Sequence, residues 1–191
     1  MSLNELVTKR LKNAADTITA LQTIDAEIVT ACSVITNTIE NGGIVATCGN
    51  GGSAAQSLHL AEELMGRYRA DRRPLPGLCL NADPTLLTCI ANDYGFDAVF
   101  ARQCEALLKT GDLLVVFSTS GKSPNIIKAL EVAQSRGAQT IGLLGPEHSP
   151  CHDLCDIAIS TQGMDTAIIQ DAHQVVLHIL CEAVEQSMIA S

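Results

Sequence analysis

The feature that most constrains this chain is a repeated order of short apolar run, turn and helical stretch. Residues 44–48, 77–80, 113–117, 140–144 and 157–160 are runs of four or five residues that are mostly Val, Ile, Leu, Ala or Cys. Such runs leave no polar face for water, so each predicted strand must be covered on both sides. Helical periodicity fills the intervals. Together these predict an α/β fold, a five-stranded parallel sheet flanked by helices in a flavodoxin-like three-layer sandwich. In such folds ligands bind beyond the carboxyl ends of the strands.

Two helical segments precede the first strand. Leu3, Leu6, Val7, Leu11 and Ala14 recur at helical spacing over 3–20. Ile24, Ile28, Val29 and Ile35 do so over 22–41, before the stop at Gly42-Gly43. Further helices are predicted over 53–68, after Pro84, and over 97–109, 124–136 and 165–187. The 191 residues suit one domain, 1–191. Residues 1–41 form helices that pack on the core or on another subunit, and 42–191 form the α/β core.

Composition narrows the function. Apolar residues are 47% and aromatics 3%, so the core is aliphatic. A formal charge of -9 argues against nucleic acid, which is held mostly by Lys and Arg. It does not oppose a small phosphate, which backbone N–H groups at a helix start can bind. The first residues lack the basic-then-apolar pattern of a secretory signal. No run approaches the roughly 18 apolar residues that read as a membrane span. The eight Cys lie mostly in apolar runs and read as reduced, buried thiols of a cytoplasmic protein. Cys151 and Cys155, with His152 between, fit no common zinc spacing.

Four elements carry chemistry. The turn Cys48-Gly49-Asn50-Gly51-Gly52-Ser53 leaves a strand and enters a helix. Its N–H groups and the Ser53 hydroxyl can hold an anion, or Ser53 can simply cap the helix. The turn Ser118-Thr119-Ser120-Gly121-Lys122-Ser123-Pro124 offers four hydroxyls at a second helix start, where one cap needs only one. His59 and Glu63 share a helix face and either bind a metal or move protons, or form an ordinary i, i+4 pair. Glu62 points elsewhere. Gln170, Gln174 and His178 form a polar stripe on an apolar helix and need partners there, whether backbone, another subunit or a cavity. His173 lies off that stripe and reads as structural.

These elements, with Gly66-Arg67-Tyr68, Asn92-Asp93-Tyr94-Gly95, Ile169-Gln170 and Leu180-Cys181-Glu182, keep the order and spacing of a known family. The chain resembles the phosphoheptose isomerases over nearly its whole length. The Ser118–Ser123 loop marks the broader SIS class of phosphosugar-binding domains. The resemblance implies a homotetramer with sites between subunits. It implies conversion of sedoheptulose 7-phosphate to D-glycero-D-manno-heptose 7-phosphate, an early step toward bacterial lipopolysaccharide heptose. It also implies one Zn2+ per subunit, held by His59, Glu63, Gln170 and His178. Glu63 is then the base of an enediol mechanism and His178 its partner acid/base. Ser53, Ser118, Thr119, Ser120 and Ser123 would take the phosphate. Asn50, Gly51, Arg67, Asn92, Asp93 and Gln170 would meet the rest of the sugar. Ile168 stands where many members of the family have Arg, which bears on the site rim or a subunit contact. The competing reading is a non-catalytic SIS regulator of the replication-initiator-associating type. That class lacks the counterparts of Glu63 and His178, which this chain has.

Overall fold

The computed structural model describes residues 1–145, 147–163 and 165–190. Helices α1 (Leu3–Ala20) and α2 (Asp25–Glu40) are joined by a 3-10 turn at Leu21–Ile24. Then follow β1 (Val45–Gly49), α3 (Gly52–Met65), β2 (Gly77–Cys79), α4 (Pro84–Tyr94) and α5 (Ala101–Leu107). The chain continues through β3 (Leu113–Ser118), α6 (Pro124–Ser135), β4 (Gln139–Leu144), α7 (Pro150–Leu154), β5 (Ile157–Ser160) and α8 (Thr166–Ala190).

All five strands pair in parallel, in the order β2-β1-β3-β4-β5. The predicted fold class therefore stands. The chain leaves β1 toward β2 on one side and returns to β3 on the other. This reversal places the loops after β1 and β3 side by side at the carboxyl edge, the usual position of a ligand crevice.

Alternate strand residues feed two cores. Val45, Val115, Phe117, Ile141 and Leu143 meet Ile28, Ile35 and Ile39 of α2 and Ala172, Val176 and Leu180 of α8. Ala46, Cys48, Leu114, Val116 and Leu144 meet Ile90, Phe100, Cys104, Ile126 and Leu130 on the other face. The cysteines are free thiols. Burial pushes Cys104 up to about 12 and Cys151 up to about 11, so both remain protonated packing groups.

Three local readings change. The second helical segment begins with a 3-10 turn, so α2 starts at Asp25 rather than 22. The helix predicted over 53–68 ends at Met65, where the Arg72 guanidinium donates to the Glu63 carbonyl at 2.6 Å and the Leu64 carbonyl at 2.9 Å. The stretch 97–109 splits into a 3-10 turn at Phe96–Ala98 and α5, and the short α7 was not foreseen. Within Leu3–Glu40 an 18-residue window has a mean hydropathy of 1.4, enough to cross a membrane by length and composition. Ile28, Ala31, Ile35 and Ile39 of that stretch are nonetheless buried in the domain core. Their spacing is that of a helix packed on a sheet.

His173 ties α8 to the sheet. Its ring is fully buried, edge-on to Phe117, and its Nε2–H donates to the Leu144 carbonyl at 2.9 Å. Nδ1 has no partner. Protonation would bury an unpaired charged N–H, and burial lowers the His173 pKa to about 4. Below its ordinary value of about 6.5 the unfolded chain binds a proton that the folded chain refuses, so stability falls as pH drops toward 4. His173→Gln keeps a donor without a titrating ring. Urea denaturation should show wild type losing about 2 kcal/mol more than the variant between pH 7 and 5. Parallel losses would contradict this account.

Candidate active site

The turn after β1 is built on close backbone approach. A Cβ at Gly49 would lie 2.5 Å from the Ser53 carbonyl oxygen, so α3 can start immediately beyond the strand. Gly51, at φ +58°, is the N-cap, which corrects the reading of Ser53 as a possible cap. Ser53 is buried inside the first turn and its carbonyl accepts from the Ser57 hydroxyl at 2.8 Å. Asn81, at the end of β2, accepts from the Gly49 N–H and donates to the Gly49 carbonyl. Asn50 and Asn125 exchange two amide hydrogen bonds, both 2.9 Å, and so couple this turn to the start of α6.

The loop after β3 is braced from the other side. Gly121 has φ +61°, and a Cβ there would collide with the Ser149 hydroxyl. Ser118 Oγ accepts from the Gly121 N–H, and Ser120 Oγ from the Lys122 N–H. Ser123 takes the N-cap position of α6 but makes no side-chain cap bond. Plain capping therefore does not account for its hydroxyl. A cavity of about 350 Å³ adjoins the loop, lined by Thr119, Ser120, Lys122, Ser149, Asp165 and Thr166 among others. Lys122 adds an ammonium group to this lining, beside the carboxylates of Glu147 and Asp165. It was visible inside the sequence motif but had not been singled out.

On α3, His59 and Glu63 do share a face. His59 Nε2 lies 3.0 Å from Glu63 Oε1, and both side chains are partly buried. Across from them, α8 presents Gln170, Gln174 and His178. The rings of His59 and His178 are edge-on with centroids 5.4 Å apart. The Gln174 carboxamide lies between them, its Nε2 2.9 Å from His59 Nδ1 and 3.1 Å from His178 Nε2. The polar stripe thus finds its partners on α3. Gln174 was recognised as part of that stripe but not as a site residue, because its role depends on which helix α8 faces. Gln170 sits one turn earlier. Its carbonyl accepts from Gln56 Nε2 at 2.9 Å, and its carboxamide rests on Gly52. Tyr68 lies over His178 at 5.9 Å between ring centroids.

A metal test gives a mixed set. Donor atoms of His59, Glu62 and Glu63 lie within 4.8 Å of one another, and imidazole with carboxylate suits zinc. Glu62, read as pointing elsewhere, is exposed yet within this cluster. His178 reaches the pair through Gln174. Among the described residues no such group includes Cys151 or Cys155.

The remaining expected contacts make local bonds within the single chain. Arg67 is exposed and donates to the Arg69 carbonyl. Asn92 and Asp93 are exposed at the end of α4 and hydrogen-bond each other at 2.8 Å. Neither region is joined by hydrogen bond to the His59–His178 cluster. Ile168 is fully buried in the first turn of α8.

A parallel sheet with a hydroxyl-rich loop at its carboxyl edge, and a His–Glu pair farther along the helix that leaves β1, suits a sugar-phosphate isomerase. Residues 11–145 match the SIS domain family. The phosphoheptose isomerase of Campylobacter concisus is 46% identical over 157 residues, 82% of this chain and 83% of its own. The solved phosphoheptose isomerase from Neisseria gonorrhoeae superposes with a TM-score of 0.91 at 33% identity, covering 97% of this chain and 100% of that one. That from Francisella tularensis gives 0.93 at 29%, with the same coverage. The chain belongs to the SIS domain family and, within it, to the phosphoheptose isomerases. These relatives carry the name of an enzyme rather than of a regulator.

Gly52 offers a steric test of Gln170. A Cβ there would lie 2.6 Å from Gln170 Nε2, a flexible end that can move aside. Gly52→Ala should keep stability within about 1 kcal/mol, since Ala favours helix. Displacing a positioning group by about 1 Å should lower turnover on the order of a hundredfold. Steady-state kinetics equal to wild type would remove Gln170 from the substrate contacts.

Proposed function

We propose that this enzyme interconverts sedoheptulose 7-phosphate and D-glycero-D-manno-heptose 7-phosphate, an early step of bacterial heptose biosynthesis. The observation that carries the reading is the placing of α8. Its first turn borders the cavity beside the phosphate-type loop, and its fourth holds His178 against His59, the partner of Glu63. From Gln170 to His178 is about 12 Å of helix. A heptose 7-phosphate spans about eight bonds from phosphorus to C1, about 10 Å when extended. The phosphate can therefore anchor at Thr119, Ser120, Lys122 and Ser123 while C1 and C2 reach the His–Glu pair. Binding energy at the phosphate then positions the reacting carbons.

Glu63 Oε1 faces His59, which leaves Oε2 to remove the C1 proton. The C1–H pair becomes the C1–C2 double bond of the enediol, and the carbonyl oxygen at C2 takes up a proton. Return of the carbon-bound proton to C2, with loss of the O1 proton, gives the aldose. His178 moves the proton between the two oxygens. Zinc, held by His59, Glu63, Gln170 and His178 in this reading, supplies Lewis acidity at the carbonyl oxygen. We place the enzyme in the cytoplasm, where its eight free thiols stay reduced.

Assembly follows from α1. It buries no residue in the single chain, while Leu3, Leu6, Val7 and Leu11 are exposed. A homotetramer with two-fold axes would cover them. Light scattering should give a species well above the 20.1 kDa chain. A stable monomer at micromolar concentration would contradict it.

The chemical test follows the carbon-bound proton. Wild type should wash solvent deuterium into C1, read by NMR. Glu63→Gln should fail to do so and lose at least about a hundredfold in turnover. Normal exchange in the variant would exclude Glu63 as base. No turnover of any ketose phosphate by wild type would overturn the enzyme reading.

A further inference from the structure

We propose that Gln174 is a positioning residue that sets which nitrogen of His178 carries the proton and, together with Glu63, which nitrogen of His59 does. One clause of this, the consequence for metal uptake, rests on the zinc reading above. The assignment of tautomers does not.

The geometry is restrictive. Gln174 Nε2 is within hydrogen-bond distance of one nitrogen on each ring, His59 Nδ1 at 2.9 Å and His178 Nε2 at 3.1 Å. A carboxamide nitrogen has two hydrogens and no lone pair to offer, so both ring nitrogens must accept. The orientation of the amide is itself held. Gln56 is buried, its Nε2 fixed on the Gln170 carbonyl at 2.9 Å, and the same Nε2 faces Gln174 Oε1 at 3.5 Å. Turning Gln174 over would set two amide N–H groups against each other.

The consequences run outward from the amide. In the neutral state His59 has its proton on Nε2, where it donates to Glu63 Oε1 at 3.0 Å. His178 has its proton on Nδ1. A cation taken by His59 Nε2 needs the lone pair on that nitrogen, so the proton must move to Nδ1. Nδ1–H then faces an N–H group unless Gln174 turns its oxygen toward it. A ligating imidazole commonly donates its other N–H to such an oxygen. Gln174 thus supports the metal-free pair as a closed His–Glu hydrogen bond, and a cation at His59 Nε2 would require it to give up the Gln56 contact and turn.

The test uses the full-length chain, labelled with 15N-histidine, after dialysis against a chelator and at a pH where the rings are neutral. Long-range proton–nitrogen spectra report the tautomer of each ring. Wild type should show His59 protonated on Nε2 and His178 on Nδ1, with the His59 proton shifting to Nδ1 on addition of zinc chloride. Gln174→Leu, of similar size without hydrogen bonds, should show mixed tautomers on the His178 ring, while Glu63 still holds the His59 proton on Nε2. Its zinc affinity by calorimetry should fall roughly 10- to 100-fold, as for other groups that orient a ligand. Gln174→Glu, which only accepts, should move the His178 proton to Nε2 even without zinc. Wild-type tautomers in both variants would overturn the proposal. Wild type that shows the expected tautomers but takes up no zinc would sustain the positioning role and remove the metal reading alone.

Discussion

The site depends on a contact that only a residue without a side chain allows. The Ser53 carbonyl lies where a Cβ of Gly49 would be, so α3 begins directly beyond the end of β1. A bulkier residue would push the helix start away from the strand and swing its axis. His59 and Glu63 lie two to three turns along α3, where a small change of axis becomes a large displacement. Asn81 and the Asn50–Asn125 pair hold the same turn from both sides. The turn after β1 is therefore a rigid origin from which the catalytic helix is aimed. Preorganised groups of this kind spend no free energy on ordering themselves at the moment of reaction.

The second determinant is α8. Its apolar residues Ala172, Val176, Leu180 and Val184 are buried in one core, which fixes the rotation of the helix. Once that rotation is set, Gln170, Gln174 and His178 must face α3. Polar groups between two packed helices are costly unless satisfied. Gln174 meets both histidines and Gln56 meets the Gln170 carbonyl, so most of the network is closed. Gln56 Oε1 remains without a partner. A hydroxyl of a bound sugar is one group that could donate to it.

Much of this was legible in the sequence. Five apolar runs, each bounded by turns, announce a parallel sheet, because a strand without a polar face admits little else. Both loops stand between strand and helix as read, because their signal is local: Gly49-Asn50-Gly51-Gly52 and Ser118-Thr119-Ser120 lie within a few residues of a strand end. The shared face of His59 and Glu63 follows from helical spacing alone. What escaped is non-local. The end of α3 at Met65 depends on Arg72, and the loop after it on Glu185, whose Oε1 accepts from the Arg69 and Ala70 N–H groups over 100 residues away. The short α7 depends on the Ser149 hydroxyl, which caps it at the His152 N–H and also packs against Gly121. The centrality of Gln174 emerges only when the facing helix is known.

Glu62 and Glu63 show how backbone position separates like residues into different roles. Both carboxylates lie near His59, but Glu62 is exposed and Glu63 is partly buried against α8. Water screens an exposed charge and lets its side chain move, so Glu62 can add attraction for a cation but little orientation. Glu63 is held at its backbone as well, since Arg72 binds its carbonyl and that of Leu64. A guanidinium at a helix C-terminus also interacts favourably with the dipole and resists fraying. The better-oriented of the two carboxylates is therefore the one fixed at both ends. Its neighbour, one residue earlier and about 100° around the helix, keeps the freedom of the surface.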